Sequence, residues 1–424
     1  MVDTLSSIDG TPVERQVFPE SAEALAETMK EACEAGRTMA AIGGGRHLHL
    51  GNPPGSVNLG IHLSRLRGIV EYEPGNLTVS VRAGTTLADL QNALRAANQF
   101  LPLDPAGGEA ATLGGLLAAN ASGPLRLRYG TLRDLLIGIR MVHADGSRTR
   151  AGGKLVKNVA GYDMCKLYTG SLGTLGFCTE LTLKVQPASG ESATLALGFP
   201  SLPAALEATQ AILRSELLPD AVEAINATAY AALAAPPAAG SWILLVRFGE
   251  ARTALHRQLD RTRDLAAASG ASILQVSGDG ATQELWRRLA DQRAGNGSAS
   301  GLLLKCAALY QSAAATGRLL EQAGERLQAQ ASLYCHAGIH VYHACYRWTG
   351  PECAPGAIQD AIRELRRHCR AAGGHLVVER ARPEVKQGLD VWGYEAPALD
   401  LMRRIKMQFD PKGLLNPGRF VGGI

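Results

Sequence analysis

The sequence predicts an α+β protein with two α+β domains and a C-terminal tail. Short apolar strands alternate with amphipathic helices up to Pro187, after which the chain becomes rich in Ala and Leu at helical spacing. With 424 residues, of which 46% are hydrophobic and 19% charged, the chain can bury the cores of two or three domains. We expect the domain boundaries to be 1–187, 188–396 and 397–424.

The first of these segments mixes helix and strand signals. Ser21 is a helix N-cap residue, Leu25 and Met29 share one apolar helix face, and Thr86 opens a second helix with a capping-box pattern. The predicted strands are 38–42, 77–81, the two arms 137–143 and 147–150 of a hairpin, and 181–185.

The rest of the chain predicts a second α+β layer and a terminal helix. Residues 202–238 have helical spacing, and the tail from Pro397 to Phe409 is an amphipathic helix stopped by Asp410 and Pro411. An antiparallel sheet is expected from strands 242–247, 272–276, 302–307, 338–344 and 376–378, with helices at 254–267 and 357–371.

Charge and cysteine usage exclude several classes of protein. A formal charge of +4 with no long basic run predicts no nucleic-acid binding. The eight cysteines contain no CxxC pair and match no zinc or iron–sulfur pattern, which predicts reduced thiols and no metal site. Since the sequence has neither a signal peptide pattern nor a membrane-spanning apolar stretch, we expect a cytoplasmic protein that contacts the inner face of a membrane only through partners.

A run of three glycines follows the strand at 38–42. Gly43-Gly44-Gly45-Arg46-His47 can form a loop whose backbone N–H groups bind a phosphate, or simply a tight turn. Because neither GxGxxG nor the Walker pattern is present, a Rossmann NAD domain or a P-loop is disfavoured.

Further clusters of small residues shift the balance towards a cofactor. A ligand held along its length by backbone amides and hydroxyls needs several such loops, and a dinucleotide with a pyrophosphate bridge has that shape. The clusters are Asp104-Pro105, Thr112–Gly115, Asn120–Pro124, Tyr129-Gly130, Arg133-Asp134, Lys157–Asp163 and Gly170–Gly176.

This ordered series resembles the FAD-binding domain of the vanillyl-alcohol-oxidase/para-cresol-methylhydroxylase (PCMH) superfamily. Ser122-Gly123-Pro124 and Lys157–Asp163 are similar to the second FAD-binding subunit of bacterial glycolate oxidases, and Phe409–Arg419 is similar to the end of the FAD-linked oxidase C-terminal domain. The resemblance implies a PCMH-type FAD-binding domain followed by an FAD-linked oxidase C-terminal α+β cap domain, with the tail returning to the FAD domain.

The resemblance also implies a set of cofactor residues. Some relatives link FAD through a histidine at the position of Arg46, and His47 follows one residue later, so we expect noncovalent FAD. The implied FAD-binding residues are Gly43, Gly44, Gly45, Arg46, His47, Asp104, Pro105, Thr112, Gly114, Gly115, Ser122, Gly123, Gly161, Gly170, Gly173, Thr174, Gly176 and Asn416.

The catalytic residues are less clear from the sequence. Related hydroxyacid dehydrogenases carry a His-x-Gly-Asp-Gly-Asn-x-His segment that binds a divalent metal, and this chain keeps only its outer histidines, His336 and His343. Those enzymes also carry a Gly-Glu-His-Gly segment, and the corresponding stretch of this chain contains His375. Because the carboxylates that support a metal are missing or displaced, these histidines are candidates either for catalysis or for ordinary strand positions.

The resemblance leaves three functions open. The favoured one is an FAD-binding subunit of a glycolate or other 2-hydroxyacid dehydrogenase complex, with a second FAD-linked catalytic subunit, an iron–sulfur subunit and a quinone-type acceptor as partners. The second is a self-sufficient FAD-dependent 2-hydroxyacid or alcohol dehydrogenase. The third is a structural scaffold subunit that binds FAD.

Overall fold

The computed structural model describes residues 5–154, 161–233, 240–294, 301–394 and 397–424. Its chain divides into two units. Unit 1 comprises Met1–Ser122, Gly130–Ala188 and Tyr394–Ile424, and unit 2 comprises Gly123–Tyr129 and Ser189–Gly393. Over the described ranges, no helix is both long and apolar enough to cross a membrane.

Unit 1 contains two main sheets. A four-stranded sheet has the order β1-β2-β4-β3, with β2, β4 and β3 parallel, and an antiparallel five-stranded sheet has the order β5-β6-β10-β8-β9. A short pair joins β7 and β11. The strands are β1 Ser7–Ile8, β2 Thr11–Val17, β3 Met39–Ile42, β4 Val57–His62, β5 Ile69–Glu73, β6 Thr78–Arg82, β7 Gln99–Phe100, β8 Leu136–Val142, β9 Arg148–Gly152, β10 Phe177–Lys184 and β11 Gln186–Pro187.

The helices of unit 1 begin where the sequence places caps. The Ser21 hydroxyl accepts a hydrogen bond from the Ala24 N–H at 3.0 Å, and Leu25 and Met29 are fully buried on the inner face of that helix. The Thr86 hydroxyl accepts from the Asp89 N–H at 3.1 Å. The helices are Ala22–Glu34, Leu87–Arg95, Leu113–Ala119, Leu132–Leu135, Met164–Tyr168 and Leu399–Phe409.

Unit 2 is one antiparallel sheet of eight strands with helices on both faces. Its order is β15-β12-β14-β13-β17-β18-β16-β19. The strands are β12 Glu191–Phe199, β13 Ala221–Asn226, β14 Trp242–Glu250, β15 Ser272–Ser277, β16 Leu302–Ala307, β17 Gln330–His336, β18 Val341–Arg347 and β19 His375–Arg380. The helices are Arg126–Tyr129, Leu202–Leu213, Ala227–Leu233, Arg252–Ala268, Asp279–Arg293, Tyr310–Arg326, Pro355–Ala371 and Pro383–Gln387.

Two expectations for this sheet are wrong in detail. The stretch 202–238 is not continuously helical, since β13 separates the helices Leu202–Leu213 and Ala227–Leu233. The strand expected at 338–344 is instead β18, preceded by β17 and a turn. Every residue of β13 is buried, so its composition lacks the polar alternation that identifies a half-exposed strand.

The C-terminal tail is bonded into unit 1. The Met39 N–H donates to the Leu414 carbonyl at 2.7 Å, and the Asn416 N–H donates to the Met39 carbonyl at 2.8 Å, which places the tail beside β3. The buried Lys406 ammonium donates to Asp410 at 2.6 Å and to the carbonyls of Thr174 and Leu415 at 2.9 Å. All three ammonium hydrogens are therefore satisfied.

Candidate functional site

The glycine loop after β3 passes very close to Thr112. A Cβ atom on Gly43 would lie 2.2 Å from the Thr112 Oγ1, and one on Gly44 would lie 2.8 Å from the Ala110 carbonyl oxygen. Gly45 has a φ of +74°, which side chains rarely adopt. The loop therefore requires glycine for steric reasons at Gly43 and Gly44 and for its backbone conformation at Gly45.

Thr112 joins this loop to the helix Leu113–Ala119. Its hydroxyl accepts hydrogen bonds from the Gly44 N–H at 3.3 Å and from the Gly115 N–H at 3.4 Å. Gly114 lies against Ala83, where an added Cβ would be 2.9 Å from the Ala83 Cβ. The Thr112 hydroxyl thus bonds the glycine loop to the helix Leu113–Ala119, and the absence of side chains at the glycines allows the two to pack closely.

The second glycine loop, Gly170–Gly176, lies beside the end of the same helix. The N–H groups of Gly170 and Leu172 donate to the carbonyls of Leu117 and Ala118, both at 2.9 Å. Leu172 itself has a φ of +51°, a strained conformation for a leucine. The Asn416 side-chain amide donates to the Leu172 carbonyl at 2.8 Å, so the C-terminal tail supports this loop.

Both glycine loops line the same cavity in unit 1. This cavity, whose free space of about 520 Å³ includes the part open to solvent, is lined by Gly43–Leu48, Thr112, Gly115, Leu172-Gly173 and Arg419, among others. An adjoining cavity of about 490 Å³ shares Gly43, Thr112, Gly115 and Gly173 with it and adds apolar walls, namely Leu63, Leu117, Met141, Tyr168 and Phe177. The two cavities thus share part of their lining, and they combine a polar wall made by the glycine loops with an apolar wall.

Arg419 stabilises the wall of the first cavity. Its guanidinium donates to the carbonyls of Leu48 and Leu50, both at 2.6 Å, and only 3% of the residue is exposed. Burial lowers the pKa of Arg419 to about 10, so the side chain stays cationic at neutral pH. The sequence-based list of site residues omits Arg419, although the Asn416-Pro417-Gly418-Arg419 motif that contains it was the available signal.

In unit 2, β17 and β18 bring two histidines together. The rings of His336 and His343 have centroids 5.3 Å apart, and both residues are buried. His336 Nδ1 contacts Glu223 Oε1, and His343 Nδ1 lies 3.2 Å from Glu379 Oε2. The carboxylates, expected to be missing or displaced, are thus present but displaced, because β13 and β19 supply them.

Two cations border these histidines. The Arg293 Nη2 lies 3.3 Å from His336 Nε2, and the Lys305 ammonium lies 3.7 Å from Glu379 Oε1. Burial, together with Arg293 and Lys305, lowers the pKa of His343 to about 4. Burial also lowers the pKa of His336, as do the neighbouring cations. Both imidazoles are thus neutral at pH 7, and the contact of His343 with Glu379 is a hydrogen bond rather than an ion pair.

Two family models match the chain. The model of the FAD binding domain matches residues 13–152. The model of the C-terminal domain of FAD linked oxidases matches residues 189–420, and this second match alone covers more than half of the chain. The chain belongs to the FAD-linked oxidases. The predicted cofactor, FAD, and the predicted class, an FAD-dependent oxidoreductase, are thereby confirmed.

Curated relatives of this FAD-linked oxidase cover most of its length. Glycolate oxidase subunit GlcD of Bacillus subtilis is 26% identical over 89% of this chain and 82% of the relative. D-lactate dehydrogenase of Archaeoglobus fulgidus is 27% identical over 96% of this chain and 90% of the relative. Glycolate oxidase subunit GlcE of Escherichia coli is 38% identical, but over only 41% of this chain and 49% of the relative.

Solved structures confirm the PCMH-type fold. 4-Ethylphenol oxidase of Gulosibacter chungangensis has a TM-score of 0.78 and 20% identity, covering 99% of this chain and 90% of that one. p-Cresol methylhydroxylase has a TM-score of 0.73 and 16% identity, covering 98% and 89%. At this level of identity the likeness concerns the fold alone.

The cavity residues of the FAD-linked oxidase fit an FAD molecule. Side chains at Gly43 and Gly44 would collide with Thr112 and with the Ala110 carbonyl, so glycine at these positions lets the backbone itself form the cavity wall. Within the described ranges, the buried Oδ1 atoms of Asn120 and Asn416 beside the second loop have no hydrogen-bond donor. A ligand rich in hydroxyl and amide groups supplies donors of the kind that such acceptors require.

The cavities collect only some of the predicted FAD-binding residues. Gly43, Gly44, Gly45, Arg46, His47, Thr112, Gly114, Gly115, Gly173 and Gly176 line one or both of them. The others, Asp104, Pro105, Ser122, Gly123, Gly161, Gly170, Thr174 and Asn416, line neither as the described residues define them. The assignment of FAD contacts stays a prediction for both groups.

The structure gives other information on four of the residues that line neither cavity. The Thr174 hydroxyl donates to the Ser171 carbonyl at 2.7 Å, and Gly123 belongs to unit 2 whereas Ser122 belongs to unit 1. Gly161 is exposed with a φ of +81°. The preceding part of its motif, 157–160, lies outside the described residues.

The predicted catalytic histidines do not form a single group. His336 and His343 are adjacent, whereas His375 begins β19 opposite Ala307. Sequence reasoning missed Glu223, Arg293 and Lys305 as their neighbours, because no motif links residues so far apart in the chain. Across the part of the chain that the structure describes, no group of three or more His, Cys, Asp and Glu side chains could hold a metal ion.

Proposed function

We propose that this chain is the FAD-binding subunit of a glycolate or other 2-hydroxyacid dehydrogenase complex. The observation that carries the proposal is the single cavity lined by both Gly43–Leu48 and Leu172-Gly173. The names of the relatives, glycolate oxidase subunits and a D-lactate dehydrogenase, support a 2-hydroxyacid as substrate. The word subunit in two of these names supports a complex.

Segments 1–187 and 397–424 would hold the cofactor, and segment 188–396 would form the substrate-binding cap. The loop Gly43–His47 would bind the pyrophosphate through its backbone N–H groups, apart from that of Gly44, which donates to Thr112. Arg46 would supply positive charge. Since Arg46 stands where relatives have a linking histidine, FAD would be held without a covalent bond. When bound, FAD would supply an acceptor for the hydride of the substrate α-carbon and a route for the electrons onward.

The partners would be a second FAD-linked catalytic subunit and an iron–sulfur subunit that delivers electrons to a quinone-type acceptor. In this arrangement the chain contacts the inner face of the cell membrane only through those partners. The alternative is a self-sufficient dehydrogenase, which the buried pair His336 and His343 with their carboxylate neighbours favours. The third function, a structural scaffold that binds FAD, would need neither the two histidines nor Arg293 beside them, so their presence does not support it.

Anaerobic spectroscopy on the full chain separates these functions. The purified chain is expected to show the flavin absorption bands, and glycolate or D-lactate is added without oxygen. Bleaching only after partner subunits from the native host are supplied supports the complex. Bleaching of the isolated chain supports the self-sufficient enzyme, and a yellow protein that never bleaches, even with its partners, supports the scaffold and refutes the proposal.

A further inference from the structure

Arg293 is a buried cation with unused hydrogen-bond donors. Only 2% of the residue is exposed, and one of its nitrogens, Nη2, lies 3.3 Å from His336 Nε2. Within the described part of the chain, neither Nε nor Nη1 of Arg293 has a hydrogen-bond acceptor. Leaving the donors of a charged group unsatisfied away from water is costly. We therefore expect a bound ligand to supply an acceptor for Arg293.

The protonation of His336 follows from its two neighbours. A guanidinium can only donate hydrogen bonds, so the His336 Nε2 that faces Arg293 must be the acceptor. The proton of the neutral ring is then on Nδ1, which donates to Glu223. Both ring nitrogens are therefore engaged, and neither offers a lone pair to a metal ion.

A divalent metal consequently does not fit this cluster, although related hydroxyacid dehydrogenases bind one in the corresponding segment. A metal bound at His336 Nε2 would take the place of the hydrogen bond from Arg293 and would lie beside its positive charge. The Asp, Gly and Asn of the related metal-binding segment are also absent between His336 and His343. The guanidinium occupies the position towards which a metal ligand would direct its lone pair.

The unused donors of Arg293 favour an anion. Within the described residues, Nε and Nη1 of this buried guanidinium lack an acceptor. The Lys305 ammonium lies 3.7 Å from Glu379 Oε1, the carboxylate that His343 also contacts. One carboxylate of a small acid would accept hydrogen bonds from Arg293 in the bidentate geometry that a guanidinium favours.

We propose that Arg293 and Lys305 bind the carboxylate of a small 2-hydroxyacid in unit 2 without a metal ion, and that the neutral imidazole of His343 faces its hydroxyl group. This inference rests on the proposed function, because it names how the same substrate class is bound. The guanidinium supplies the positive charge that a metal supplies in related enzymes, and Glu223 keeps His336 in the tautomer that accepts from Arg293.

The test is the binding of 2-hydroxyisobutyrate to the full-length, FAD-loaded chain, measured by isothermal titration calorimetry. This acid has the carboxylate and the 2-hydroxyl group but no α-hydrogen, so it cannot be dehydrogenated and the heat reports binding alone. The chain is treated with EDTA and desalted, and its metal content is measured by mass spectrometry. We expect the same Kd before EDTA treatment, after it, and after addition of Zn²⁺ or Mn²⁺.

Three variants locate the site. R293Q is expected to weaken binding by about tenfold or more, since it removes a buried charged donor, and K305Q should weaken it by a smaller factor. R288Q, on the exposed face of the same helix, is the matched control and should leave the Kd unchanged. Flavin absorbance and the melting temperature report folding. If R293Q does not fold, R293K and K305Q take its place, with R293K losing affinity because its ammonium lacks the guanidinium geometry.

Two results would overturn the inference. The first is binding that appears only with Zn²⁺ or Mn²⁺ and disappears with EDTA. The second is an FAD-loaded chain that does not bind the acid, or that binds it equally well in R293Q or R293K and in K305Q. The proposed function fails separately, through a chain that retains FAD but whose flavin is never reduced by a 2-hydroxyacid in the presence of its partners.

Discussion

The substitution Gly43→Ala should damage the proposed FAD cavity through one steric collision. The new Cβ would lie 2.2 Å from the Thr112 Oγ1, whereas real Cβ atoms essentially never approach another heavy atom within 3.0 Å. One of the two must therefore move by roughly 1 Å. Thr112 is only 3% exposed and binds both the Gly44 and Gly115 N–H groups, so it has little room to yield.

Overpacking of this kind costs about 1–3 kcal/mol of the free energy of unfolding. The displaced loop Gly43–Leu48 also lines the FAD cavity, so FAD affinity should fall by about tenfold for each 1.4 kcal/mol of lost binding energy. Urea denaturation of the apoprotein measures stability, and titration of FAD followed by quenching of its fluorescence measures affinity. The control is Gly75→Ala, at an exposed turn where an added Cβ meets no described atom within 4 Å.

A double-mutant cycle identifies the collision itself. Thr112→Ala removes the Oγ1 and leaves the Thr112 Cβ, which is 3.5 Å from the added Cβ and therefore in ordinary contact. Gly43→Ala should then cost about 1 kcal/mol less in the Thr112→Ala background than in the parent chain. An equal cost in both backgrounds, or a Gly43→Ala chain that matches Gly75→Ala in stability and FAD affinity, would refute the steric reasoning.

Two further predictions concern buried charges. Lys406→Met should lower the free energy of unfolding by about 3–5 kcal/mol, because it leaves the fully buried Asp410 without its cation. Lys412→Met at an exposed position is the control in the same urea denaturation, and equal stabilities would contradict the prediction. The free energy of unfolding should also fall as the pH drops from 6.5 to 4, by up to about 3 kcal/mol, because the unfolded chain protonates His343 near pH 6.5 and the folded chain only near pH 4. His343→Asn should flatten this pH dependence, and an unchanged slope would show that His343 is not its source.

Local chemistry explains why much of unit 1 could be predicted. Ser21 and Thr86 cap helices through hydrogen bonds to groups three residues away, and Gly45 has a left-handed conformation. Such features depend on neighbours in the chain, so they are present in the sequence itself. The same holds for the motif series that identified the family, because each of its members is a short, contiguous segment.

The histidine cluster could not be predicted in the same way. Glu223 reaches His336 across 113 residues and Arg293 reaches it across 43, through the pairing of β13 with β17 and the packing of a helix on the sheet. Strand β13 carries no polar alternation, so neither its presence nor its neighbour was visible in advance. Arg419 lies in a recognisable motif, but its carbonyl partners Leu48 and Leu50, about 370 residues away, could not be predicted.

The sequence by itself determined the fold class, the cofactor and the loops that require glycine, because backbone conformation and helix capping are set by adjacent residues. Only the tertiary structure decided which charges meet. It gave the two histidines their carboxylates, placed a guanidinium beside His336, where related enzymes bind a metal, and brought the tail against both glycine loops. Contacts between distant segments depend on strand order and packing, and no short-range pattern specifies them.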